Sequence, residues 1–117
     1  MRIVVQRVKE AKVGVSSGIV ALISTGLLLL VGFGGQDDKQ LPDSENSKAC
    51  VNKLPKLRIF PDQNNKTNLS LEQAGGEILA ISQFTLYADW RKGRRPSFTG
   101  AAAPELAEYL YSCFVKD

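Results

Sequence analysis

The chain contains no histidine. That absence excludes a Ser-His-Asp or Cys-His catalytic arrangement, and any histidine-ligated metal, within one chain. Cysteine is almost as scarce. Cys50 and Cys113 stand far apart with no C-x-x-C spacing, so neither a redox pair nor a zinc knuckle is expected. Both fall in apolar helical patterns, and the expectation is two buried free thiols in a reducing compartment. Long hydrophobic runs are missing too. The greasiest stretch, Gly18 to Phe33, is broken by Ser24-Thr25-Gly26 and falls short of the roughly 20 apolar residues that a membrane-spanning helix needs. Met1 to Arg7 lacks the apolar core and small-residue cleavage site of a secretory signal. Charge of one sign is not abundant either. Fifteen Lys and Arg against 12 Asp and Glu leave +3, too little by itself to mark a nucleic-acid binder.

What is present reads as one domain over residues 1–117, with 44% apolar and 23% charged residues, enough for a single modest core. Runs rich in Ile and Val predict strands over Arg2 to Val8 and Ala11 to Val15. Ser16-Ser17-Gly18 turns the chain into a third strand, Ile19 to Ile23. Leu27 to Phe33, the most apolar run, predicts the central strand. Gly32, Gly34 and Gly35 fail the G-x-G-x-x-G frame because Asp37 takes its last position. A helix is expected over Ser44 to Leu54, capped by Asp43 or Ser44 and stopped by Pro55, with Cys50, Leu54 and Leu57 as its packing stripe. Asp37, Asp38, Asp43 and Glu45 match no metal-loop spacing, and carboxylates are expected near a helix N-terminus. A short strand over Lys56 to Phe60, a turn in which Asn65 tolerates a left-handed backbone, and an extended Asn68 to Leu71 follow. Pro104 opens a final helix with Leu106, Tyr109, Leu110, Cys113 and Phe114 on one face.

The most informative stretch is Ile81-Ser82-Gln83-Phe84-Thr85-Leu86, expected to close a strand running from Glu77 to Leu86. Alternation would put Ser82, Phe84 and Leu86 on one face and Gln83 and Thr85 on the other. Beyond it, four cations fall within five residues: Arg91, Lys92, Arg94 and Arg95. An amide and a hydroxyl at a strand end, beside a basic loop, suggest a site that meets phosphate. An ordinary wet strand face followed by a solvated loop accounts for the same residues.

Taken together, the ordered segments Gln6-Arg7-Val8, Arg58-Ile59-Phe60, Gly75-Gly76, Ser82-Gln83-Phe84-Thr85-Leu86 and Arg95-Pro96-Ser97-Phe98 resemble the D-aminoacyl-tRNA deacylases, formerly D-tyrosyl-tRNA deacylases. The resemblance covers nearly the whole chain. It implies a mixed α/β (α+β-like) fold with a barrel-like, mainly antiparallel sheet and two packed helices. It also implies a homodimer in the cytoplasm, no metal or other cofactor, and hydrolysis of the ester between a D-amino acid and the 3′ end of tRNA.

Carried over by the resemblance, Ser82 and backbone N–H groups near Phe84 and Thr85 would cradle the ester carbonyl, and Gln83 would position the terminal adenosine. Thr85 would act either as a nucleophile or as an orienting hydroxyl beside a reaction assisted by the tRNA 2′-OH; the second role is preferred, because no general base stands close in sequence. Arg7, Arg91, Lys92, Arg94, Arg95, Ser97 and Phe98 would meet the tRNA. Departures from the family pattern are Asn65, Thr67 and Ala103, and the absence of any Gly-Pro dipeptide from the N-x-G-P motif that family members carry near their C-terminus. The chain ends at Asp117 after the last helix, so a form lacking the C-terminal strands is expected. A non-catalytic, dimeric nucleic-acid-binding relative is the competing reading.

Overall fold

The computed structural model describes residues 1–116; the end of the expected 1–117 span, Asp117, lies outside the described residues. The architecture is mixed α/β with seven strands: β1 Arg2–Val8, β2 Ala11–Val15, β3 Gly18–Ile23, β4 Gly26–Gly32, β5 Phe60–Pro61, β6 Thr67–Leu69 and β7 Glu77–Ser82. The helices are α1 Glu45–Lys53, α2 Leu71–Ala74 and α3 Pro104–Lys116, with single 3₁₀ turns before and after α1 at Leu41–Asp43 and Leu54–Lys56 and after β7 at Phe84–Tyr87. None of the described helices is long and apolar enough to cross a membrane.

β4 is the middle strand of the order β1-β4-β7, as its composition predicts, and Leu27, Leu29 and Val31 are almost wholly buried. Glu77 N donates to Thr25 O and Gln83 N to Val31 O, so partner positions rise together and β7 runs parallel to β4. Such a pair needs a long crossover, here the chain from Phe33 to Gly76 that includes α1 and α2. β2 and β3 form an antiparallel hairpin, with Val15 opposite Gly18 across Ser16-Ser17, and β5 and β6 form a second. The expected barrel-like sheet does not close among the described residues, because each hairpin pairs only with itself.

The chain divides into two compact units. The first comprises Met1–Val4, Leu30–Val51 and Ile81–Asp117, with Val31, Phe33, Ala102, Leu110 and Phe114 in its core. The second comprises Val5–Leu29 and Asn52–Ala80, packed around Leu27, Leu29, Leu54, Phe60, Leu71 and Leu79.

Several expectations need correction. The strand Glu77 to Leu86 stops at Ser82, and Phe84–Tyr87 is a 3₁₀ turn, so the alternation of faces beyond Ser82 does not hold. Lys56 to Phe60 is not a strand: Leu57 N bonds Leu54 O in a 3₁₀ turn, and only Phe60–Pro61 joins a ladder. Cys50 is exposed and Cys113 half-buried, so neither is the buried thiol expected, although both are free. The inward positions of the first helical segment are Ser47 and Leu54 rather than Cys50 and Leu54. On α3, Leu110 and Phe114 are buried while Tyr109 is exposed.

Other local expectations hold. Ser44 is the cap of α1, accepting at Oγ from Ser47 N at 3.2 Å. Asn65 takes the left-handed backbone with φ 59°. α2 was not expected, yet Ser70 and Gln73 close a reciprocal capping box around it and Gly75 ends it at φ 70°.

Candidate functional site

Ser82 ends β7 with its side chain exposed, and the last ladder bond, Gln83 N to Val31 O at 2.7 Å, sits one residue beyond it. The chain then winds into the Phe84–Tyr87 turn, whose first internal bond is Leu86 N to Gln83 O. The N–H groups of Phe84 and Thr85 therefore precede the turn's first bond and have no acceptor inside it. Gln83 Nε2 donates to Thr85 Oγ1, so these two side chains engage each other.

This turn is supported by residues to which the sequence assigned no role in the site. Arg2 Nη1 donates to Leu86 O at 2.8 Å, and the guanidinium lies 4.3 Å from the centre of the Tyr87 ring. Burial, with the Asp37 carboxylate adding to it, pushes the Tyr87 hydroxyl above its ordinary pKa, against a smaller opposing pull from Arg2. Gly32 and Gly34 allow the close approach: a Cβ on Gly32 would stand 2.7 Å from Gln83 O, and one on Gly34 would stand 2.6 Å from the Tyr87 ring. Asp37 secures the same region by accepting from the Met1 ammonium at 2.7 Å and from Gly34 N at 2.8 Å.

Ser82 and Phe84 line an apolar pocket of about 520 Å³, which is the size of a small-ligand site. Phe98 forms another wall, its ring edge-on to Phe84 with centroids 5.3 Å apart. Ala101, Ala102 and Pro104, followed by Ala107, Glu108 and Tyr111 of α3, complete it. These six were missed. A signal existed, since positions 104, 107, 108 and 111 recur at the i, i+3, i+4, i+7 spacing of one helix face, but Pro104, Ala107, Glu108 and Tyr111 form no apolar stripe that would mark it.

The basic loop makes a second, polar cleft of about 520 Å³, lined by Asp89, Lys92, Gly93, Arg94, Arg95, Ser97 and Thr99. Its ends are tied by two bonds, Asp89 N to Ser97 O at 2.7 Å and Ser97 N to Asp89 O at 2.6 Å. Arg91 is the exception among the cations. Its Nε and Nη2 donate to the Asp89 carboxylate at 2.9 and 2.8 Å, and these bonds, with Arg91 N, hold that carboxyl down at about 2. Lys92, Arg94 and Arg95 have no acidic partner among the described residues. Ser82, Gln83, Phe84, Thr85, the loop cations, Ser97 and Phe98 thus all belong to the first unit. Arg7 belongs to the second, where Nη1 donates to Ile59 O at 2.6 Å.

A family model described as D-Tyr-tRNA(Tyr) deacylase matches residues 4–117. The chain belongs to that family. A D-aminoacyl-tRNA deacylase of Nitratidesulfovibrio vulgaris (strain DP4) is 57% identical over 117 residues, covering 100% of this chain and 72% of the relative. Among solved structures, the c-Myc DNA Unwinding Element Binding Protein superposes with a TM-score of 0.84 at 34% identity, over 99% of this chain and 74% of the other. A probable eukaryotic D-amino acid tRNA deacylase superposes with a TM-score of 0.77 at 22% identity, over 97% of this chain and 64% of the other, a likeness of fold alone. The mixed α/β fold of the deacylases is therefore the fold of this chain. The apolar pocket and the cationic cleft are features of that fold's first unit here.

Proposed function

We infer that the chain hydrolyses D-aminoacyl-tRNA, releasing a free D-amino acid and tRNA, and so removes mischarged amino acids before translation uses them. The reading is carried by family membership across residues 4–117. In the mechanism we favour, water adds to the ester carbonyl carbon. The bond to the ribose 3′ oxygen then breaks, and the departing oxygen takes a proton as the carboxylic acid forms. The developing oxyanion needs fixed donors. Ser82 Oγ and the N–H groups of Phe84 and Thr85 are the groups offered, and the apolar pocket beside them takes part of the aminoacyl-adenosine end.

The contact between Gln83 and Thr85 supports an orienting role for the threonine. A nucleophilic hydroxyl needs a base to receive its proton, and a carboxamide is not a base. Gln83 is then free to present its carbonyl oxygen to the terminal ribose. Lys92, Arg94 and Arg95, with Ser97, face the phosphates, and Arg91 serves mainly to shape the loop through Asp89. Arg7 is proposed as a tRNA contact through the guanidinium nitrogens that Ile59 O does not occupy. The working form is taken to be a cytoplasmic homodimer. The apolar residues exposed on the β2–β3 hairpin, Val15, Ile19, Val20 and Leu22, are in keeping with association between chains.

The test compares hydrolysis of D- and L-aminoacyl-tRNA by the wild type, Ser82→Ala and Thr85→Val. The expected outcome is preferential loss of the D-ester. Thr85→Val should keep within about 10-fold of wild-type kcat, the scale of one neutral hydrogen bond, and Ser82→Ala should lose about 10- to 100-fold. A covalent aminoacyl-Thr85 adduct would replace the orienting role by the nucleophilic one. tRNA binding with no ester hydrolysis in any preparation would favour the non-catalytic nucleic-acid-binding reading, which the likeness to the c-Myc DNA Unwinding Element Binding Protein keeps in view.

A further inference from the structure

Trp90 is the single tryptophan of the chain and, at 72% exposure, the most exposed of its large described hydrophobic side chains. It buries little, so core packing does not account for it. Its backbone is nevertheless well defined. Trp90 follows directly on the Asp89–Ser97 bridge, and its carbonyl accepts from Gly93 N at 3.4 Å in the tight turn of the basic loop. On the following side, Arg91 is drawn onto Asp89 by both guanidinium bonds and by its own N–H. An indole is thus displayed on a tied loop whose Lys92, Arg94 and Arg95 line the cationic cleft.

An exposed aromatic ring beside unpaired cations is the combination that binds single-stranded nucleic acid, with the ring stacking on a base and the cations tracking phosphates. Bases inside a duplex are already stacked, so an exposed ring with cations close to it in sequence favours an unpaired strand. We propose that Trp90 is a stacking platform for an unpaired nucleobase upstream of the terminal adenosine, with Lys92, Arg94 and Arg95 on the adjoining phosphates. The proposal rests on the deacylase reading, since the substrate's aminoacylated 3′ end is such a strand.

A lone tryptophan makes the test direct. Trp90 emission is titrated with unacylated tRNA, with a single-stranded RNA hexamer and with a blunt RNA duplex. In parallel, the anisotropy of dye-labelled tRNA and the hydrolysis of D-aminoacyl-tRNA are measured. The expected result is saturable quenching by tRNA and by the hexamer, with midpoints matching the anisotropy curve, and weaker quenching by the duplex. Trp90→Ala should weaken tRNA binding roughly 5- to 100-fold, and Trp90→Phe should recover part of that loss. Arg94→Ala with Arg95→Ala should flatten the salt dependence of binding by about two counterions.

Unchanged emission on tRNA binding, with Trp90→Ala within twofold of wild type and hydrolysis intact, would overturn the stacking proposal alone. Quenching by duplex equal to that by the hexamer would overturn its single-strand selectivity. A blue shift that depends on protein concentration without RNA would reassign the ring to a protein interface. Absence of both tRNA binding and D-ester hydrolysis would bring down the deacylase reading, and this proposal with it.

Discussion

Gly32→Ala separates a site held by close backbone approach from one that merely borders a strand. The added Cβ would stand 2.7 Å from Gln83 O and 3.2 Å from Leu86 Cβ. The first of these atoms is backbone and cannot rotate away. Relief requires β4 and the end of β7 to part by several tenths of an ångström, next to the 2.7 Å bond from Gln83 N to Val31 O. Overpacking of this kind costs about 1–3 kcal/mol, and weakening the adjacent hydrogen bond adds about 0.5–1 kcal/mol. A loss near 2 kcal/mol corresponds to a fall of about 8 °C in Tm at this chain length. The displaced carbonyl also begins the turn that presents Phe84 and Thr85, so kcat for D-aminoacyl-tRNA should fall roughly 10- to 100-fold at temperatures where the variant is folded. Gly93→Ala is the control for stability, because its Cβ would meet no atom within 4 Å. Calorimetry and single-turnover hydrolysis read the two effects separately. A Gly32→Ala protein that melts within about 1 °C of wild type and turns over normally would refute the reasoning.

Arg2→Met should remove both the bond to Leu86 O and the ring contact with Tyr87, lowering kcat by about 3- to 10-fold with KM nearly unchanged. Arg2→Lys should restore part of it, and equal loss in both variants would show that the stem rather than the cation matters. The Asp89 carboxyl, held at about 2 against an ordinary value of 3.8, contributes stability that is fully present above about pH 4 and is lost as pH falls through about 2. An NMR titration of that carboxyl should therefore give a midpoint near 2 in the wild type. In Arg91→Ala it should return towards the ordinary value, and a wild-type midpoint near 3.8 would dissolve the ion pair that shapes the loop.

Elements whose determinants are local were legible in the sequence. β1 to β4 follow from runs of Ile, Val and Leu separated by Ser and Gly turns, and α3 from Pro104 and a 3.6-residue period. The errors cluster where tertiary contacts override propensity. Phe84, Thr85 and Tyr87 are good strand formers, yet the ladder ends at Gln83, and the Leu86 carbonyl goes to Arg2, distant in sequence. The phase of the stripe on α1 was misread for a related reason. Leu54 is buried as expected, but Cys50 is exposed and the buried position one turn earlier is Ser47, which gave no hydrophobic signal. The Ser70–Gln73 capping box did stand in the sequence, hidden by the shortness of the helix it caps. For the site, the polar motif and the cations were visible by type. The alanine wall of the pocket and the diversion of Arg91 to Asp89 depend on which groups meet in space.

The turn at Phe84–Tyr87 bears on how a chain without histidine can work on an ester. Had β7 continued, ladder pairing would have taken alternate N–H groups and left the remaining ones on opposite edges of the strand. Breaking the strand after Ser82 instead leaves two consecutive N–H groups, those of Phe84 and Thr85, at the start of a turn. Such donors carry a penalty when they lack partners, so the turn needs support from elsewhere. Arg2 on the Leu86 carbonyl, the Tyr87 ring against Gly34, and the bare backbone of Gly32 supply it. An aminoacyl ester has a good leaving group and an activated carbonyl, so what it lacks in water is chiefly a fixed environment for the oxyanion. In the mechanism inferred here, that demand falls on backbone geometry more than on a titrating base. The residues that support the turn, Arg2, Gly32 and Gly34, then matter alongside the groups offered to the ester.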